Sequence, residues 1–350
     1  MGPDDFDYDL PASAIAQEPL EDRPAARLLD ATGPSVVHRT VRDLPSLLGP
    51  GDVLVLNDTR VLPARLRLRR PTGGAAEVLL LRPVDEGASG TEVRWEALVR
   101  PSRRLPPGTE LVAGDDLAVE IGADLGEGRR HVAVRTPDGD LDGALERHGE
   151  MPLPPYLTTE LADPERYQTV YSDRPASAAA PTAGLHLTEE VLERCRAAGA
   201  RVERLELVVG LDTFRPVTVD DFDDHRMHHE RYEVSPDVLE TCLGARRKGG
   251  RVVAVGTTTV RALESAARFG PGGSTDLFIR PPFDFLVVDA LMTNFHLPRS
   301  TLLVMLEAFA GTRWRDLYRV ALDDGYRFLS FGDAMLVERG AVAGPAETER

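Results

Sequence analysis

From about residue 66 to 150 the chain abandons helical periodicity, and that break constrains the fold more than any other feature. "AEVLLLRPV", "EVRWEALVRP", "LAVEIGA" and "RRHVAVRT" are short segments of alternating or clustered apolar residues. The turn-forming clusters "DEGASG", "PPGT", "GEGRR" and "TPDGD" part them, since Gly, Asp and Pro supply tight-turn geometry. Strands at this spacing, with no helix between them, predict a small antiparallel barrel or sandwich. "MPLPPYL" (151–157) then returns the chain to a different texture.

Outside that stretch the order is α/β. A Pro-Gly turn at 50–51 leads into the apolar run Val53–Leu56, short enough for a buried strand, with "NDTR" at its end. "LTEEVLERCRAAGA" places Thr188 as an N-cap, Val191, Leu192, Cys195 and Ala198 on one face, and Gly199 as a stop. "RVERLELVVG", "RVVAVG" and "DFLVVDALMTNF" read as further strands, with "TTTVRALESAARFG" as a helix. The predicted architecture is an α/β main domain (1–65 plus 151–340) carrying the active site. An antiparallel β-barrel domain (66–150) is inserted into it, and 341–350 is a flexible tail.

A chain of 350 residues, 42% hydrophobic, can bury a core of this size. Its two cysteines, Cys195 and Cys242, have no CxxC spacing, which argues against a disulfide framework or structural zinc and fits a reducing cytoplasm. No secretory leader pattern and no run of about eighteen apolar residues occurs, so a soluble cytoplasmic protein with no membrane partner is expected. A net charge of −16 counts against nucleic acid in general but not against a local basic surface. The arginine clusters at 65–71, 100–104 and 246–248 read as solvated faces when each is taken alone.

Four stretches carry chemistry. "RVVAVGTTTVRALES" is strand, glycine, three threonines, helix, an arrangement that suits a carboxylate, phosphate or ribose; an ordinary threonine-capped helix fits it equally. It is neither GxGxxG nor a Walker loop, and Arg261 and Glu264 stand one turn apart, able to pair. "SAAAPTAGLHLTEE" is a small-residue loop ahead of His186, a proton-transfer candidate or a structural histidine. "DHRMHHERYEV" gathers His225, His228, His229 and Glu230, but HxxHHE matches no closed metal site, so polar recognition is expected and no metal. "LMTNFHLPRSTLLVMLEAFAG" (291–311) crowds Thr293, Asn294, His296, Arg299, Ser300 and Thr301 ahead of an apolar helix that needs one cap.

Together with "FDYDLPASAIAQEPLEDRPAARLL", "GDVLVLNDTRVLPARL", "ERYQTVYSDRPASAAAPTAGLHLT", "GLDTFRPV" and "YRFLSFGDAML", these stretches run in order from residue 6 to about 337. The chain thereby resembles the S-adenosylmethionine:tRNA ribosyltransferase-isomerases of queuosine biosynthesis. The resemblance implies a monomer with a β-barrel inserted in an α/β domain. It implies S-adenosylmethionine as a pentosyl donor, and as acceptor a 7-aminomethyl-7-deazaguanine in a tRNA anticodon loop. Epoxyqueuosine in tRNA, adenine and methionine would be the products, with no metal.

Chemistry then assigns candidates. The sulfonium acidifies its 5′ carbon, so a base is needed, His186 or His296. A carboxylate beside the positive sulfur points to Asp58, Glu230 or Asp333. The methionine carboxylate would rest at Thr257–Thr258 or at Ser300–Thr301. Thr182, Arg261 and Asn294 complete the expected donor pocket, and Arg60, Arg215, His225 and His228 are the acceptor candidates. Departures from the family pattern fall at Ala176, Val208, Asp212, His229, Pro282 and Glu307. The Val208–Asp212 strip keeps open a paralogue that transfers the pentosyl group to another amine. A non-catalytic RNA-binding protein is the reading of a different class.

Overall fold

The computed structural model describes residues 1–70, 73–85, 90–210, 217, 219–227 and 229–340. It divides into two compact units, one of residues 1–60, 155–174 and 180 onward, the other of residues 61–154 and 175–179.

The second unit is a closed antiparallel barrel. Its strands follow the order Arg65–Arg69, Ala75–Pro83, Glu92–Arg100, Arg129–Arg135, Leu117–Gly126 and Glu110–Ala113. Pairing of Arg69 with Val112 closes the ring. The sequence around 65–71, read as a solvated basic face, is one of these strands. Leu66 and Leu68 point into the core while the intervening arginines point out, as period-two alternation requires. One helix, Leu141–His148, was not expected here; Asp140 caps it by accepting from the Gly143 N–H at 3.0 Å.

The first unit is built on a nine-stranded mixed sheet. In order across it lie Gly272–Thr275, Glu230–Glu233, Arg201–Leu207, Val53–Asn57, Val252–Val255, Ala290–Asn294, Ala334–Glu338, Arg27–Ala31 and Val37–Thr40. The four strands from Arg201–Leu207 to Ala290–Asn294 are mutually parallel. Three of them, Val53–Asn57, Val252–Val255 and Ala290–Asn294, are buried at every position. Helices on both faces explain why their sequences are apolar without alternation. Thr188 caps the Glu189–Ala197 helix by accepting from the Val191 N–H at 3.3 Å, and Gly199 (φ +95°) follows it. Cys195 and Cys242 are free and buried, and burial pushes their thiols up to about 11 and about 12, so both are inert at neutral pH.

Arg261 and Glu264 do not pair. The fully buried Glu264 instead accepts from Arg268 Nη1 at 2.6 Å and from the backbone N–H groups of Leu286, Val287 and Val288. Arg261 Nη1 donates to Glu230, whose strand is separated in the sheet by two others from the strand that feeds the Arg261 helix. Among the described residues, no helix is long and apolar enough to cross a membrane.

Candidate active site

Three parallel strands end at one edge of the sheet, where α/β sites form. At the first end Asn57 behaves as an extra piece of backbone: its Nδ2 donates to Leu207 O at 3.0 Å and its Oδ1 accepts from the Leu207 N–H at 3.0 Å. The same Nδ2 reaches Thr258 Oγ1 at 3.3 Å, tying the strand to the next helix. At the second end Gly256 takes φ +90°, a backbone angle disfavoured for any residue with a Cβ. The chain turns there at once into the Thr257–Phe269 helix. Gly256 occupies the N-cap position, and no side chain caps the helix. The ordinary threonine cap is therefore excluded: Thr259 bonds inward to Val255 O at 2.6 Å, and the first two threonines face open space.

That space is an open cleft, with about 650 Å³ of empty volume when the solvent at its mouth is included. Of the sequence-derived candidates it gathers Thr182, Thr257, Thr258, Asn294, His296 and Ser300. His186 lines a small neighbouring cavity of about 10 Å³, which shares Ser330 with the first. Arg261 and Thr301 line a third, also about 10 Å³, which shares Thr257, Thr258 and Leu302 with the cleft. Ser300 sits at the N-cap of the Thr301–Ala310 helix, yet its Oγ donates to Leu297 O at 2.7 Å and caps nothing. Two uncapped helix N-termini thus border adjacent cavities.

Asn294 is the hub of the polar wall. Its Oδ1 accepts from Thr182 Oγ1 at 3.0 Å, while its Nδ2 lies 2.9 Å from His186 Nε2 and 3.4 Å from Asp333 O. Because Asp333 O can only accept, the network assigns the amide orientation and makes His186 Nε2 the acceptor. His296 is held differently: Nε2 lies 3.1 Å from Thr293 Oγ1 and Nδ1 3.2 Å from Tyr318 Oη. Its backbone N–H donates to the same Tyr318 oxygen at 2.8 Å. Both nitrogens of His296 are committed, whereas among the described residues only Nε2 of His186 is hydrogen-bonded.

Burial lowers His186 to about 4, the Asp333 carboxylate opposing it in part, and lowers His296 to about 3. Both imidazoles are therefore neutral at physiological pH. Their folded values lie below the ordinary unfolded value of about 6.5, so the unfolded chain takes up protons first. Stability should fall as pH drops from about 6.5 toward 4, at about 1.4 kcal/mol per pH unit for each proton. Asp58, raised by burial to about 6, runs the other way between about 4 and 6 and offsets one proton there. Denaturant midpoints measured across this range in wild type and His296→Asn check the linkage, the variant losing one proton's worth of slope.

The carboxylate candidates do not reach the cleft; among its described lining residues there is no Asp or Glu. Glu230 is consumed by Arg261 and by the Gly210 N–H at 3.1 Å. Asp333 accepts from the Arg27 N–H at 2.9 Å and the Arg327 N–H at 2.8 Å and faces Arg27 Nε, which makes it a structural clamp. Asp58 lies in the field of Arg204, Glu206 and Asp173 at the strand end. Arg60 is engaged by Ser172 and Glu165, and the His225 ring packs on Phe278 at 5.4 Å. Arg215, His228 and Asp212 lie outside the described residues. Among the described residues no group of three His, Cys, Asp or Glu could hold a metal. Tyr156 and Ser330 line the cleft but were not singled out; lone hydroxyls inside apolar strings carry no spacing signal, and only the fold brings the two within 2.7 Å of each other.

The model of a family described as queuosine biosynthesis protein matches residues 3–337. The chain belongs to the queuosine biosynthesis protein family. Relatives in it include an S-adenosylmethionine:tRNA ribosyltransferase-isomerase of Symbiobacterium thermophilum, 51% identical over 346 residues, covering 95% of this chain and 98% of the relative. One of the same description from Thermus thermophilus is 51% identical over 349 residues, with coverage of 95% and 98%. A crystal structure of an S-adenosylmethionine tRNA ribosyltransferase from Thermotoga maritima is 38% identical, with TM-score 0.53, covering 95% of this chain and 99% of that one. Against the family pattern, Glu307 serves packing between helices: its Oε2 accepts from Trp314 Nε1 at 2.9 Å and Arg315 Nη1 at 2.7 Å. The PTAGLH glycine also proves structural, since a Cβ on Gly184 would lie 2.0 Å from Tyr171 Oη.

Proposed function

We propose that this chain transfers and isomerises the ribosyl moiety of S-adenosylmethionine onto 7-aminomethyl-7-deazaguanine in tRNA, giving epoxyqueuosine-tRNA, adenine and methionine. The observation that carries the reading is the similarity along nearly the whole chain to ribosyltransferase-isomerases, joined to a cleft walled by the same motifs. The donor occupies that cleft as co-substrate, with Thr182 and Asn294 on one wall and the threonine helix on the other. No metal is required for the steps assigned to this chain's residues.

His186 is the proposed proton-transfer group for the 5′ carbon. A single hydrogen bond from Asn294 holds its Nε2, so drawing that amide toward the donor frees a lone pair. Freeing the acceptor nitrogen of His296 also breaks one contact, but the other, to Thr293 or Tyr318, keeps the ring pinned in place. With no carboxylate among the described lining residues, hydroxyl and carbonyl dipoles are the groups proposed to face the sulfonium, as an oriented dipole set can. The acceptor is the anticodon loop of a tRNA, and the working form is a cytoplasmic monomer.

The test is an adenine assay. S-adenosylmethionine with an anticodon stem-loop bearing the aminomethyl-deazaguanine should release adenine, and omission of the RNA should abolish release. Release with a free small amine but not with the RNA would overturn the tRNA acceptor.

A further inference from the structure

The third cavity, a small pocket of about 10 Å³, belongs to neither the cleft nor its histidines. Arg261, Thr257, Thr258 and Thr301 supply its polar lining, with Leu277 and Met305 among its apolar members. Arg261 is 4% exposed and its three nitrogens have separate fates. Nη1 is spent on Glu230 and Nε donates to Leu277 O at 3.2 Å. Nη2 is buried and has no hydrogen-bond partner among the described residues. An unsatisfied donor in a buried guanidinium is costly, on the same scale as a lost hydrogen bond to a charged group. Burial lowers Arg261 to about 10, which still leaves it charged at neutral pH.

Two further donors of positive potential meet there. Thr257 and Thr258 begin a 13-residue helix, and Thr301 begins a 10-residue helix. Neither N-terminus has a side-chain cap or an acidic residue in its first turn, though acids are the usual complement of a helix start. Two bare helix N-termini and one guanidinium arm unpartnered among the described residues, with the Asp276 carboxylate as the opposing charge acting on Arg261, suit the cavity to an anion.

We infer that this cavity is the subsite for the α-carboxylate of the donor's methionine moiety. The inference rests on the functional reading above. It selects the Thr257–Thr258 side with Arg261 and leaves Ser300 to its bond with Leu297 O. Thr257, Thr258 and Leu302 line both this cavity and the cleft, which sets the two side by side within reach of one extended donor. Glu230 then has a positioning role: it holds the guanidinium so that Nη2 faces the bound carboxylate.

The experiment measures binding of S-adenosylmethionine and of its decarboxylated analogue, S-adenosyl-(methylthio)propylamine, to the full-length protein by calorimetry. Wild type should bind the analogue roughly 10- to 100-fold more weakly, the scale of a charge-assisted hydrogen bond. Arg261→Lys keeps a charge for Glu230 but removes the second arm, and should reduce that preference to below about threefold. Thr301→Asp places a carboxylate at the rim where a helix start tolerates it. It should weaken S-adenosylmethionine selectively, and it serves even if Arg261→Lys fails to fold. Equal binding of the two donors to wild type, or a preference unchanged in both variants, overturns the subsite alone. Absence of S-adenosylmethionine binding overturns the functional reading and the subsite with it.

Discussion

His186→Ala should lower the rate of adenine release by roughly 10²- to 10⁴-fold, the usual contribution of a positioned proton-transfer group. The side chain is buried and neutral, with its Nε2 2.9 Å from Asn294 Nδ2. Asn294→Ala should cost about 10²-fold, because it removes the group that orients the imidazole and Thr182 together. The double variant should be little slower than His186→Ala, since residues that act as a unit are not additive. His296→Ala should show mainly in stability, its ring being locked between Thr293 and Tyr318. Single-turnover adenine release, read beside thermal midpoints, separates these outcomes. A His186→Ala protein that releases adenine at the wild-type rate would remove that residue from the chemistry.

Glu264→Ala should destabilise the folded chain by about 3–5 kcal/mol, the cost of breaking a buried charge pair from one side. Glu264 is fully buried and satisfies the N–H groups of Leu286, Val287 and Val288 while pairing with Arg268. Alanine leaves three backbone donors without their acceptor and removes the countercharge of Arg268, which keeps the carbonyls of residues 264 and 284. Glu264→Gln keeps one acceptor oxygen and should cost less than half as much. Denaturant unfolding of the two variants checks the order; an alanine variant within about 0.5 kcal/mol of wild type, as at an ordinary surface site, would refute the clamp.

The barrel and the parallel sheet were legible because their signals are periodic: alternation in "EVRWEALVR", uninterrupted apolar runs in "VLVL" and "VVAV". Arg65–Arg69 escaped that reading because arginines filled its outward positions, and charge drew attention from the alternating leucines. The motifs of the cleft were equally visible, since Thr257, Thr258, Asn294 and His296 meet as their density suggested. Pairing was not. Whether Arg261 faces Glu264 or Glu230 depends on strand order across the sheet, and local spacing favoured the wrong partner. Asp333 and Glu230 looked available in sequence because nothing there reveals that Arg27 and Arg261 occupy them. Buried carboxylates acquire partners from distant segments, so a sequence proposes acids more readily than it proposes their availability.

The most direct measurement is the mass of an anticodon stem-loop carrying the aminomethyl-deazaguanine, after incubation with S-adenosylmethionine and this protein. The account predicts a gain equal to one ribosyl-derived unit on the modified base, with adenine and methionine released in equal amount. A gain of a methyl group, or no gain while S-adenosylmethionine is bound, would contradict it.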